Sequence, residues 1–154
     1  MMETSSRRHG WELYMIGFDL PGSPSEPARA VAVGHDAMAT RGKVVEWAEC
    51  PERTFERIVK WCFYFLARYP RGRAVCNGVA PYDHWFDGMR RSIFDERTIT
   101  PITVTTHLKQ KLEVIAYETP REVLGAMPDR FMFAAALALS QVAWSASSSL
   151  RRPP

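Results

Sequence analysis

The chain has 154 residues, a formal charge of +3 and an isoelectric point near 8.9. That length suits one domain with one core, and so mild a basic excess does not announce nucleic-acid binding by itself. Three cysteines, Cys50, Cys62 and Cys76, form no CxxC pair, so neither a disulfide framework nor a zinc site is expected and a cytoplasmic, reducing setting fits best. The segment Met1–Gly10 lacks the apolar stretch of a secretory signal, and no run reaches the ~20 apolar residues of a membrane span. We expect a frayed N-terminus over residues 1–11, a single domain over 12–145, and a frayed tail over 146–154.

Residues 12–20 read as a strand that ends in Asp19 and runs into the turn residues Pro21-Gly22-Ser23-Pro24. A carboxylate near the end of a buried-looking strand is costly unless it has a partner, and a metal ion is a common one. An Asx-type turn opening is the plainer role for Asp19. Small apolar residues alternate over Ala28–Gly34, a second strand, and Thr40-Arg41-Gly42-Lys43 reverses the chain into a third at Val44–Cys50. These three make an antiparallel meander with short links.

Pro51 suits the first position of a helix over 52–68, with Glu52 at the positive end of its dipole. Phe55, Ile58, Val59, Cys62, Phe63 and Leu66 share one helical face, which places Cys62 in the core. Pro70-Arg71-Gly72 stops the helix, and a short buried strand, Arg73–Gly78, follows. Tyr82, Trp85, Phe86 and Met89 have helical spacing within 81–91, and Ile99–Thr106 is β-branched enough for a fifth strand, with Pro101 suited to an edge. The run Lys111–Tyr117 is ambiguous between strand and helix. From Pro128-Asp129 onward the chain is apolar nearly all round, as befits a helix packed on a sheet. His35, His84 and His107 stand among polar neighbours and are expected at the surface. Arg90, Arg91, Arg97, Lys109 and Lys111 flank the fifth strand as a solvated face or as phosphate contacts.

The order of these elements, with Gly17-Phe18-Asp19-Leu20-Pro21-Gly22-Ser23 and Pro128-Asp129-Arg130-Phe131 as its end points, resembles the ribonuclease H-like superfamily. Within it the chain is most similar to the nuclease domains of phage terminase large subunits and to the Holliday junction resolvases. The resemblance implies an α/β fold: a five-stranded mixed sheet, three antiparallel meander strands first, with helices on both faces. It also implies a nuclease of phage or mobile-element type that hydrolyses DNA phosphodiesters with magnesium or manganese, held by carboxylates on the first strand, the fourth strand and the last helix.

Carried over residue by residue, Asp19 matches the first position and Asp129 matches the helix position. Asn77 stands where the fourth strand usually has an acid, and Met132 stands where the last helix often has a second one. Asp83 or Asp87 is a candidate to complete the site, so the catalytic set is Asp19, Asp129, Asn77 and Asp83, with Asp19, Asp129 and Asn77 as metal ligands. The alternative is a non-catalytic binding or assembly module of the same fold. DNA is the expected partner, a membrane is not, and a protein partner stays open. The strand order of this fold also implies that Asp19 and Asp129 lie close together at one edge of the sheet.

Overall fold

A computed structural model of the chain describes residues 10–23, 25–79, 82 and 98–145. The predicted helix at 81–91, with Asp83, His84, Trp85, Asp87, Arg90 and Arg91, falls outside the described residues except for Tyr82. Arg97 falls outside them as well.

Three strands open the fold: β1 (Leu13–Asp19), β2 (Arg29–His35) and β3 (Gly42–Glu49). β2 pairs antiparallel with both β1 and β3, as the short links require. The helix α1 (Phe55–Ala67) carries the chain across to β4 (Gly72–Asn77), which lies parallel to β1. β5 (Ile99–Ile102) then adds parallel to β4, giving the order β3-β2-β1-β4-β5. The parallel pairs are the ones joined by long connections, because only a crossover can return the chain in the same direction.

Side chains alternate across the sheet and build a core on each face. Tyr14, Ile16 and Phe18 point to one side and pack with Ile58, Val59, Cys62, Phe63 and Leu66 of α1. Met15, Val31, Val33 and Val75 point to the other and meet Ala134, Ala135, Leu137 and Ala138 of α4 (Met132–Ser140). Between β5 and α4 lie α2 (Thr106–Glu118), the short α3 (Arg121–Leu124) and a 3-10 turn, Asp129–Phe131, that leads directly into α4.

Several sequence expectations change. The first helix starts at Phe55 rather than after Pro51, because the Thr54 hydroxyl accepts from the Arg57 backbone N–H at 3.3 Å and so caps it. The fifth strand stops at Ile102, since Thr105 caps α2 by accepting from the Leu108 N–H at 3.1 Å. The same cap settles the ambiguous run at 111–117 as helix. His35, expected at the surface, is only 3% exposed: it ends a strand flanked on both sides, and the Trp144 ring closes over it edge-on at 5.7 Å. Glu46 is also buried, held by the Arg68 guanidinium and the Tyr69 hydroxyl at the end of α1.

Candidate site at the end of the central strands

The alternation that points Met15 into the α4 core also points Gly17 and Asp19 to that face. Gly17 is there for a steric reason. A Cβ at this position would stand 2.1 Å from the Ala134 carbonyl oxygen and 3.0 Å from the Ala138 nitrogen, so only glycine lets α4 lie directly on β1. That close seating brings the Asp129–Phe131 turn over the end of the sheet where Asp19 sits.

Register then assembles a row of polar side chains across four strands on this face. Arg29 is directly opposite Asp19, and Glu49 is directly opposite Arg29. Asn77 follows Cys76, which is in register with Phe18, and so continues the row on the other flank of Asp19. The Arg29 Nε donates to Glu49 Oε2 at 2.9 Å, and Arg130 Nε from the turn above lies 3.9 Å from the same oxygen. The arrangement is Asn77, Asp19, Arg29 and Glu49, with Arg130 closing over Glu49.

Asp19 is half-buried, and that burial pushes its carboxyl above the usual carboxylate range. Arg29 opposes the shift and Glu26 adds to it. Among the described residues no hydrogen bond reaches the Asp19 carboxylate, and the Arg29 guanidinium is engaged with Glu49 instead.

The Asn77 amide has a different environment. Its Oδ1 accepts from the Leu20 N–H at 2.7 Å and its Nδ2 donates to the Leu20 carbonyl at 2.8 Å. The side chain thus copies a strand partner and prolongs the β1–β4 pairing by one residue, pinning the backbone next to Asp19 where the chain leaves the sheet. A role in metal binding would have to use the second lone pair of Oδ1.

Asp129 is exposed at the start of the turn, with its neighbour Arg130 packed over the Phe131 ring at 5.0 Å. Asp83 lies outside the described residues. Among the described residues no three His, Cys, Asp or Glu side chains converge as a metal site would require.

Two solved structures share this architecture. The large terminase nuclease of thermophilic phage G20c aligns with a TM-score of 0.55 at 16% identity, over 84% of this chain and 82% of its own. The fold is that of the phage large-terminase nucleases. The nuclease domain of the bacteriophage SPP1 large terminase, solved with bound Mn, aligns with a TM-score of 0.57 at 13% identity over 90% of this chain and 91% of its own. At such identities the likeness concerns fold and not chemistry. No family model and no curated protein matches the sequence. The sheet order 3-2-1-4-5, with a packed core on each face, bears out the expected five-stranded mixed sheet with helices on both faces. Neither of these two structures is a Holliday junction resolvase.

Sequence reasoning missed Arg29, Glu49 and Arg130. Each is an ordinary charged residue in its own segment, and only the register of three strands and the seating of α4 on Gly17 gather them. No helix among the described residues is long and apolar enough to cross a membrane.

Proposed function

We propose that this chain is a nuclease-type domain acting on DNA phosphodiesters, with Asp19 as the principal ligand for a divalent cation, magnesium or manganese. Asp129, Asn77 and Asp83 are the further candidates for that site. The observation that supports this most directly is the half-buried Asp19 carboxylate at the end of the central strand, in a fold shared with large-terminase nucleases. Magnesium and manganese prefer hard oxygen donors, and a cation there would compensate a charge that burial disfavours. A cation bound there supplies Lewis-acid polarisation of a phosphodiester oxygen and a more acidic water.

The donor set supports one cation better than two. Two divalent ions carry +4, whereas Asp19, Asp129 and Glu49 carry about −3 against about +2 from Arg29 and Arg130. Compensation is therefore poor, and a second ion should bind weakly. Manganese or millimolar magnesium is the expected requirement.

Incubating plasmid and linear duplex DNA with the protein across manganese and magnesium series tests this. Cleavage is expected with manganese, and none in excess chelator or in Asp19→Asn. Cleavage that survives either treatment overturns the mechanism. Absence of cleavage under every metal condition, with DNA still bound, selects the second reading, a non-catalytic DNA-binding or assembly module. Two observations favour that reading: the Asn77 amide is doubly engaged with Leu20, and a guanidinium stands opposite Asp19.

A further inference from the structure

Glu49 is an unusual carboxylate for its surroundings, because one of its oxygens serves two arginines from distant parts of the chain. Arg29 Nε lies 2.9 Å from Oε2 and Arg130 Nε lies 3.9 Å from it. The trio carries a net positive charge and sits beside Asp19, on the face and at the sheet end that the proposed chemistry would use. The Glu49 side chain is 40% exposed, Arg29 25% and Arg130 57%. Ion pairs this open to water contribute little to stability, so the gathering of three charges finds little explanation in the fold.

Their geometry suits another anion. Arg29 donates its Nε to Glu49 and Arg130 holds its Nε 3.9 Å from the same oxygen; among the described residues the Nη groups of both are left over, and the guanidinium fork matches the oxygens of a phosphate. Arg29 is braced within the strand row opposite Asp19, while Arg130 is steadied over the Phe131 ring. Two forks from different elements, converging on one oxygen, are arranged before any ligand arrives.

We infer that Arg29 and Arg130 form a clamp for a DNA backbone phosphate next to Asp19, and that Glu49 holds the clamp open by occupying the phosphate position until the strand displaces it. The inference rests on the reading of this site as one that acts on DNA, and it adds which residues seat the strand. Glu49 competes with the phosphate, so the trio sets affinity in both directions: removing an arginine weakens binding and removing the acid strengthens it. Contacts of this kind position the backbone and read no sequence.

Fluorescence anisotropy with labelled duplex DNA in chelator, over a salt series, separates the clamp from cleavage. Arg130→Gln and Arg29→Gln should each weaken binding uniformly across sequences and lower the log–log salt slope by about one. Arg29→Lys, which keeps the charge and loses the fork, guards against a folding defect and should bind between parent and Arg29→Gln. Glu49→Gln should bind more tightly than the parent. Affinity and slope unchanged in both Arg29→Gln and Arg130→Gln, with melting temperatures like the parent's, overturn the clamp. So does weaker binding in Glu49→Gln. Inorganic phosphate at matched ionic strength should leave DNA binding in place, and complete displacement would reassign the site to free phosphate. If the parent cuts DNA with manganese while the arginine variants bind normally, the clamp fails and the nuclease reading stands. If nothing cuts but the variants bind poorly, the clamp stands and the nuclease reading fails.

Discussion

At the scale of single residues, the site is defined by what surrounds Asp19. Burial raises its pKa in the folded chain, with Arg29 offsetting part of the effect. The folded state therefore holds the proton more tightly than the unfolded chain does. The sign follows from linkage: stability is highest below the unfolded pKa, near 3.8, and falls as pH rises through the folded value. Asp19→Asn, which removes the charge, should thus melt at a higher temperature than the parent at pH 7, and the gap should shrink as pH falls toward 4. Paired melting curves at the two pH values check this, and a gap that grows on acidification would sink it. The carboxylate that the proposed chemistry requires is then a stability cost retained for function.

The opposite sign holds at Asp36, whose carboxyl is lowered to about 2 by the Thr40 hydroxyl, with the Arg41 and Thr40 backbone N–H groups adding to it. Its charge favours the fold above about 3.8, and that contribution fades as pH falls toward 2. Asp36 forms the turn between β2 and β3 and lies away from the Asp19 row. The two carboxylates therefore act in adjoining windows, Asp36 below about 3.8 and Asp19 above it, and a single-site variant is the cleaner probe of each.

At the scale of elements, the sheet is clamped between two helices that hold it by different means. α1 uses large side chains, and Phe63 is 1% exposed within its core. Phe63→Ala should cost about 3–5 kcal/mol, read from denaturant unfolding at constant m-value. A variant as stable as the parent would show that the helix face is misassigned.

α4 uses close backbone approach instead, through its alanines and Gly17. Gly17→Ala places a methyl carbon against backbone atoms of α4 that have no side-chain freedom with which to yield. We expect a loss of at least the ~1–3 kcal/mol typical of overpacking. Weaker DNA binding should accompany it, because the displaced helix carries the turn with Asp129 and Arg130. Gly17→Ala with parental stability and parental binding would rule out that helix as the element that positions the turn. Glycine matters here for the space beside it.

At the scale of the whole molecule, β1 is the strand on which everything converges. It is flanked by β2 and β4, carries a core on each face, and ends in the candidate site. Among the described residues β5 is held by one neighbour over four residues, one of them Pro101, which has no N–H to give. Native-state hydrogen exchange should therefore find the β1 amides exchanging only through global unfolding and the β5 amides through smaller openings. Equal protection of the two strands would contradict this picture. The expected outcome would mean that a site at the end of β1 keeps its geometry while the edge strand opens.

Much of this fold was legible in the chain because its signals are local. The six-residue face of α1, the alternation in β1 and β2, the short links of the meander and the apolar last helix depend on neighbours within a few residues, and each appears where its period or turn placed it. Asp19 was legible for the same reason: a charge at the end of an apolar strand stands out on its own.

The tertiary structure decided the rest, wherever the deciding partner is far away in sequence. Thr105 ended a strand early and turned an ambiguous run into α2. Trp144 buried His35, and Leu20 took both ends of the Asn77 amide. Arg29, Glu49 and Arg130 were invisible as a group, because a strand's sequence states which residues share a face and not which residue stands opposite which. That register depends on pairing between strands and on how closely α4 can lie on Gly17, and it is there that scattered charges become a candidate site.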